Sequence, residues 1–269
     1  MLTKEKILSI NISKGKRDEF VQSIMDLGSK NKPSYVCVAN AHMLVEAHWS
    51  KAFQKVVNDA DIVTPDGMPL AKSFKILHGI AQERVDGMSL LPLLLESSIA
   101  ENLAVYFYGG SSGLVEHTKS FIEKDFPLLN VVGMYSPPFR YLTEAEETLV
   151  IDKIANSGAN IVFVALGCPK QEQWMAEMKD KIPAVLVGIG GALPVLIGLQ
   201  KRAPVWMQKS SLEWLYRLVQ EPRRLFKRYV VTNTVFLYLL LRAKIKTRRV
   251  EDGVAGQKIS DPAAERANF

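Results

Sequence analysis

Cysteine is nearly absent from this 269-residue chain, which holds only Cys37 and Cys168, far apart in sequence. That excludes a disulfide scaffold and a structural zinc site, which need more thiols at closer spacing. The opening MLTKEKILSI lacks the long apolar region of a signal peptide, so the expectation is a chain that is not exported and sits in a reducing compartment. The C-terminal apolar run, residues 230–241, is interrupted by Thr232, Asn233 and Thr234. It is too short for a bilayer span, which needs roughly 20 residues. No internal repeat is found, and no tract is dominated by charge or by Pro and Gly, which excludes disorder for most of the chain.

What is present is 48% hydrophobic and 23% charged, enough apolar chain for one large α/β domain or a core domain with an appendage. Acidic residues are scarce in one place only. Residues 201–249 hold 13 Lys and Arg against two acids, Glu213 and Glu221, whereas the remainder holds 21 bases and 26 acids. A mildly acidic body therefore carries a strongly basic segment, and such asymmetry points to an anionic partner.

Short apolar runs at 7–12, 35–39, 61–64, 104–108, 131–134, 161–166 and 185–189 read as strands. Amphipathic stretches at 16–27, 90–100, 114–125, 144–156 and 171–179 read as helices between them. Strands separated by helices predict right-handed βαβ units and a mostly parallel, Rossmann-like α/β sheet with helices on both faces. Chemistry in such a sheet gathers at the carboxyl ends of the strands. Several expected strands end there in polar or glycine-containing loops.

Gly109-Gly110-Ser111-Ser112-Gly113 has the makeup of a phosphate cradle, or of a tight strand–helix turn. Pro65-Asp66-Gly67 is a turn signal, yet Asp66 closes an apolar strand and is placed to act as a carboxylate base on a sugar hydroxyl. Asp59-Ala60-Asp61 precedes its strand, at the wrong end of the sheet for a metal site, and reads as a solvated helix end. His42 and Glu46 lack a third ligand and read as a helix-surface pair. No Ser-His-Asp or Cys-His arrangement can be argued, and Cys168 reads as a small loop residue. Pro169 and Glu172 suit a helix start, but Lys170 there is unfavourable unless an anion also binds. Arg84 adds a second cation, and two cations with a base suit a diphosphate leaving group. In the basic segment, an apolar run flanked by Arg and Lys fits a helix lying on an anionic membrane. A buried helix with a solvated basic face is the alternative, and no motif supports nucleic acid.

The set Asn40-Ala41-His42-Met43, Thr64-Pro65-Asp66-Gly67-Met68-Pro69-Leu70, Glu83-Arg84-Val85-Asp86-Gly87, Gly109-Gly110, Ser136-Pro137-Pro138-Phe139, Gly167-Cys168-Pro169-Lys170-Gln171-Glu172, Gly190-Gly191, Lys201-Arg202-Ala203-Pro204, Leu212-Glu213-Trp214-Leu215-Tyr216-Arg217 and Glu221-Pro222-Arg223-Arg224 resembles the WecG/TagA/CpsF family of bacterial glycosyltransferases over roughly residues 5–245. The resemblance implies an inverting enzyme, peripheral on the cytoplasmic face of the membrane. It would move a sugar, of the N-acetylmannosamine type or glucose, from a UDP-sugar to a polyprenyl-diphosphate-linked saccharide in surface polymer synthesis, without cofactor or metal. It implies Asp66 as base, Arg84 steadying the diphosphate, Asn40 and Gln171 at the donor, and Arg217, Arg223 and Arg224 as phosphate contacts. Gly67, Gly109, Gly110, Pro138, Lys170, Gly190 and Gly191 complete the expected substrate site. Leu193-Pro194 stands where the family usually shows Phe-Asp, and Val38 where a threonine is frequent. The expected division is a catalytic domain over 1–200, a basic helical membrane-docking appendage over 201–249, and a disordered tail over 250–269. An apolar appendage off the membrane would self-associate into homo-oligomers. The rival is a membrane-attached nucleotide-binding module without catalysis, in which Asp66 is only a turn residue.

Overall fold

Runs such as Tyr35-Val36-Cys37-Val38-Ala39 and Ile161-Val162-Phe163-Val164 carry apolar side chains at every position, so they are stable only as strands covered on both faces. A computed structural model of the chain describes residues 2–140 and 142–258, with side chains described as far as Lys246. It contains β3 (Ser34–Ala39), β4 (Ile62–Pro65), β5 (Val105–Gly109), β6 (Val131–Tyr135), β7 (Ile161–Ala165) and β8 (Val185–Gly188). These six form one parallel sheet in the order β4-β3-β8-β7-β5-β6.

Alternate residues of each strand face opposite sides, as the period of two requires. Tyr35, Cys37, Tyr106, Tyr108, Val162, Val164 and Leu186 join one core, and Val36, Val38, Val105, Phe107, Phe163, Val185 and Val187 join the other. Helices α1 (Arg17–Ser29), α5 (Gly87–Ala100) and α9 (Ala192–Leu196) contribute to the second core. Helices α2 (Ala41–Trp49), α3 (Lys51–Asp59), α4 (Met68–His78), α7 (Glu144–Ala155) and α8 (Lys170–Met178) contribute to the first. Helix α6 (Ser112–Asp125) completes the crossover from β5 to β6. The α/β parallel architecture expected from the pattern is what forms.

The run 7–12 is not one strand. It folds as an antiparallel hairpin of β1 (Lys4–Ile7) and β2 (Ile10–Ser13), with Ile7 opposite Ile10. Leu8 makes the turn at φ 54, so the reversal carries no glycine or proline to announce it.

The basic segment is helical: α10 (Val205–Lys209), α11 (Glu213–Gln220) and α12 (Pro222–Lys258). Helix α12 runs to Lys258 and so enters the stretch 250–269 expected as a disordered tail, of which residues 259–269 lie outside the described residues. It is amphipathic in an unusual sense. Leu225, Thr232, Phe236, Leu239 and Leu240 are buried, and the last three belong to the first core. Phe226, Val230, Leu237 and Leu241, spaced 4, 7 and 4 apart, are exposed on the other side. Inner contacts of this kind contribute about 1.5–3 kcal/mol per large side chain.

Phe236→Ala is therefore expected to lower the unfolding free energy by about 3–5 kcal/mol in a denaturant titration. Leu237→Ser, on the exposed face, is expected to change it by about 0.5 kcal/mol or less.

Candidate active site

Strand β4 pairs with β3 in a register that sets Ala39 beside Pro65. The next residue of each strand, Asn40 and Asp66, therefore emerges at the same carboxyl edge. The Asp66 amide donates to the Ala39 carbonyl at 2.7 Å, which fixes the turn. Gly67 follows at φ 86, a conformation that strains any L side chain, and turns the chain into α4. Asn40 caps α2, its Oδ1 accepting from the His42 and Met43 amides at 3.1 and 3.2 Å.

These residues floor a cleft of about 140 Å3. One wall carries Asn40, His42, Asp66, Gly67, Met68, Arg84 and Met88. The other comes from the C-terminal helices, with Gln208, Ser211, Glu213, Trp214, Arg217, Arg228, Tyr229 and Asn233. A neighbouring cavity of about 40 Å3 shares Arg217 and Arg228 and adds Gly191, Lys201, Arg202 and Arg224. Arginines from both parts of the chain thus line one gap together with the Asp66 carboxylate.

The Asp66 carboxyl is pushed up to about 7. Removal from water is the largest cause, repulsion from Asp86 and Glu213 adds to it, and Arg217 and Arg84 pull the other way. An acid with that proton affinity is matched to general-base work near neutral pH. Arg84 spans the cleft: Nη1 donates to Glu213 Oε2 at 2.8 Å, and Nη2 donates to Asp86 Oδ2 at 2.8 Å and Gln208 Oε1 at 3.3 Å. Burial works against its charge, but Asp86, Glu213 and Asp66 outweigh that and hold it more firmly protonated than usual. Arg217 makes no ion pair among the described residues; its Nη2 lies 3.7 Å from Met88 Sδ.

His42 is not a surface residue. It lines the cleft, and burial together with Arg228 lowers its pKa to about 4, so its 3.7 Å approach to Glu46 is that of a neutral ring. Asp61 is not a solvated helix end either. Its Oδ2 accepts from the Tyr35 amide at 3.1 Å and from Lys179 Nζ at 2.9 Å, at the amino end of the sheet.

Of the residues expected at the site, Asp66, Arg84, Asn40, Gly67 and Arg217 meet in the cleft, and Gly191 and Arg224 line the adjoining cavity. The others do not line either space, for identifiable reasons. A Cβ on Gly109 would lie 2.7 Å from the Ala165 backbone, and the Gly110 amide donates to the Ala165 carbonyl at 3.0 Å. The glycine at 109 is thus demanded by the close parallel pairing of β5 with β7. Gln171 is buried, its Oε1 accepting from the Gly190 amide and its Nε2 donating to Glu172 Oε1, both at 3.0 Å, so both partners are internal. Pro138 and Lys170 are exposed beyond β6 and at the first residue of α8. Arg223 projects to the outer side of α12, exposed.

Asp86, Gln208, Glu213 and Arg228 were not singled out as site residues from the sequence. Glu213 alone carried a signal, being one of two acids in the basic segment.

Fold and site together define an α/β enzyme with a half-buried carboxylate, Asp66, in a cleft also lined by arginines. More narrowly, the chain belongs to the WecG/TagA/CpsF family of glycosyl transferases, which it matches over residues 5–250. It is a glycosyltransferase. It is similar to the N-acetylglucosaminyldiphosphoundecaprenol N-acetyl-beta-D-mannosaminyltransferase of Bacillus spizizenii, at 35% identity over 72% of this chain and 74% of that protein. The protein of the same description from Bacillus subtilis is 29% identical over 78% and 80% of the two chains. The one from Staphylococcus aureus strain MW2 is 25% identical over 81% and 83%.

A carboxylate whose folded pKa is raised binds its proton more tightly than in the unfolded chain, so its charged form opposes folding. That cost is absent below the unfolded value of about 3.9 and fully developed once the pH passes about 7. Asp66→Asn is accordingly expected to gain melting temperature over the wild type, with the gap widening from pH 5 to pH 8 in a pH-resolved thermal scan.

Proposed function

We propose that this enzyme transfers an N-acetylmannosamine-type sugar, with inversion, from a UDP-sugar to a saccharide carried on a polyprenyl diphosphate in surface polymer synthesis. The observation that carries the reading is Asp66, with its proton affinity raised to about 7, set opposite Arg217 across one cleft. The relatives support the choice of sugar and acceptor, since their names describe transfer of N-acetylmannosamine to N-acetylglucosaminyldiphosphoundecaprenol.

Asp66 takes the proton of the acceptor hydroxyl as its oxygen attacks the anomeric carbon. The bond from that carbon to the diphosphate oxygen breaks, and UDP leaves carrying the electron pair. Negative charge grows on the diphosphate in the transition state, so arginines already in place lower the barrier more than they tighten the ground state. Single displacement is favoured by the charge pattern. Asp86 and Glu213 are engaged by Arg84, which leaves Asp66 as the base and no second carboxylate of the cleft unengaged to serve as a nucleophile among the described residues.

In this reading residues 1–200 hold the donor, while 201–249 close the cleft and seat the enzyme on the cytoplasmic face of the membrane as a peripheral protein. Among the described residues no helix is long and apolar enough to cross a membrane. The exposed Phe226, Val230, Leu237, Tyr238 and Leu241, interspersed with Arg223, Lys227, Arg242 and Lys244, supply what an anionic interface binds: apolar insertion and basic flanks. The same face would pair copies of the chain away from lipid.

Asp66→Asn is expected to retain UDP-sugar affinity within a few-fold while transfer falls by about 10²–10⁴, read by the mass of the lipid-linked product. Turnover close to wild type would remove Asp66 from the mechanism. The triple change Phe226→Ser, Leu237→Ser, Leu241→Ser is expected to keep the unfolding midpoint yet cut cosedimentation with phosphatidylglycerol vesicles by about tenfold or more. Undiminished cosedimentation would refute the docking face.

A further inference from the structure

Glu213 is an acid where the chain is otherwise basic, and it faces inward, its side chain only 17% exposed. Through Arg84 it is tied to Asp86, which is 3% exposed and itself rigidly held. Asp86 caps α5 by accepting from the Ser89 amide at 3.1 Å and Ser89 Oγ at 2.9 Å. It also accepts from Arg202 Nη2 at 3.1 Å. The chain Asp86–Arg84–Glu213 thus runs from a fixed helix cap in the α/β body to α11, joining residues 129 apart in sequence at the Arg84–Glu213 link. Gln208 presses on the same guanidinium from the end of α10. The other charged or titratable groups on the cleft are Arg217 of α11, Arg228 and Tyr229 of α12, and the neutral His42 of α2.

A carboxylate bound to an arginine on one side still presents its charge on the other. In a half-buried cleft that charge is screened less than it would be in open water. Resting on the reading of Asp66 as the base, we propose that Glu213 is a positioning residue for the transfer step. It holds Arg84 in place and sets a negative charge opposite Asp66, so the C-terminal segment itself tunes the base. The basic segment then supplies two opposed influences, Arg217 favouring the ionised acid and Glu213 disfavouring it, added to the larger effect of burial.

The test is titration of the Asp66 carboxyl by 13C NMR of full-length protein labelled at aspartate, with the Asp66→Asn spectrum identifying the resonance. Glu213→Gln keeps an oxygen for Arg84 and removes the charge. It is expected to lower the midpoint by about half a pH unit or more and to move the acid limb of the kcat profile with it. Gln208→Glu adds an acid at the same guanidinium and is expected to move both in the opposite direction. Midpoints unchanged from wild type in the two variants overturn the inference, even where kcat falls. The base reading is judged separately, by whether Asp66→Asn abolishes transfer, so failure of one is distinguishable from failure of the other.

Discussion

A carboxylate becomes a useful base at neutral pH only where water is largely removed, and a diphosphate is held and discharged only where cations are concentrated. The two demands conflict, because cations close to an acid make it a weaker base. The cleft reconciles them by distance and pairing. Arg84, the arginine that bridges its two walls, is neutralised by Asp86 and Glu213, while Arg217 remains unpaired with acid among the described residues on the opposite wall. Asp66 therefore lies among charges of both signs, and desolvation, the first cause of its shift, decides the outcome.

This arrangement explains why the C-terminal helices pack on the body of the fold. Phe236, Leu239 and Leu240 enter the core on one side of the sheet, and the same helix brings Arg228, Tyr229 and Asn233 to the cleft. The segment that packs over Asp66 thus also supplies Arg217 and Arg228 to the cleft. The outer side of α12 is left apolar and basic together, and the active site opens between that helix and the strand ends. A lipid-linked acceptor approaching from an interface would meet both surfaces at once.

Much of the fold was legible in the sequence because buried parallel strands advertise themselves as unbroken apolar runs. Asp66 was legible for a related reason, since a turn acid directly after such a run must sit at the carboxyl edge. The hairpin at the start was hidden because Leu8 takes the positive φ usually given to glycine. The glycine turn was open to two readings, a phosphate cradle or a tight strand–helix turn. Gly109 answers to the Ala165 backbone and Gly110 to the Leu114 side chain, packing demands that composition alone does not separate from phosphate binding. Gln171 shows the same ambiguity, with both ends of its amide bonded inside the protein.

The partners of Arg84 were illegible for a deeper reason. Ion pairs between residues 84 and 213 have no periodicity, and only the fold brings them together. Yet a guanidinium has five N–H donors, and three contacts occupy only Nη1 and Nη2, one at the first and two at the second. Arg84 therefore remains able to meet an anion while serving as the tie between the two walls. If a diphosphate binds there as proposed, the orientation of Arg84 is already fixed by these partners before the anion arrives. Arg217, with no such tie among the described residues, would in the proposed reaction be the one to follow the charge that develops on the leaving group. In the proposed reaction one arginine would organise the cleft and the other would answer the developing charge, with Asp86 and Glu213, which pair with Arg84 alone of the two, separating the roles.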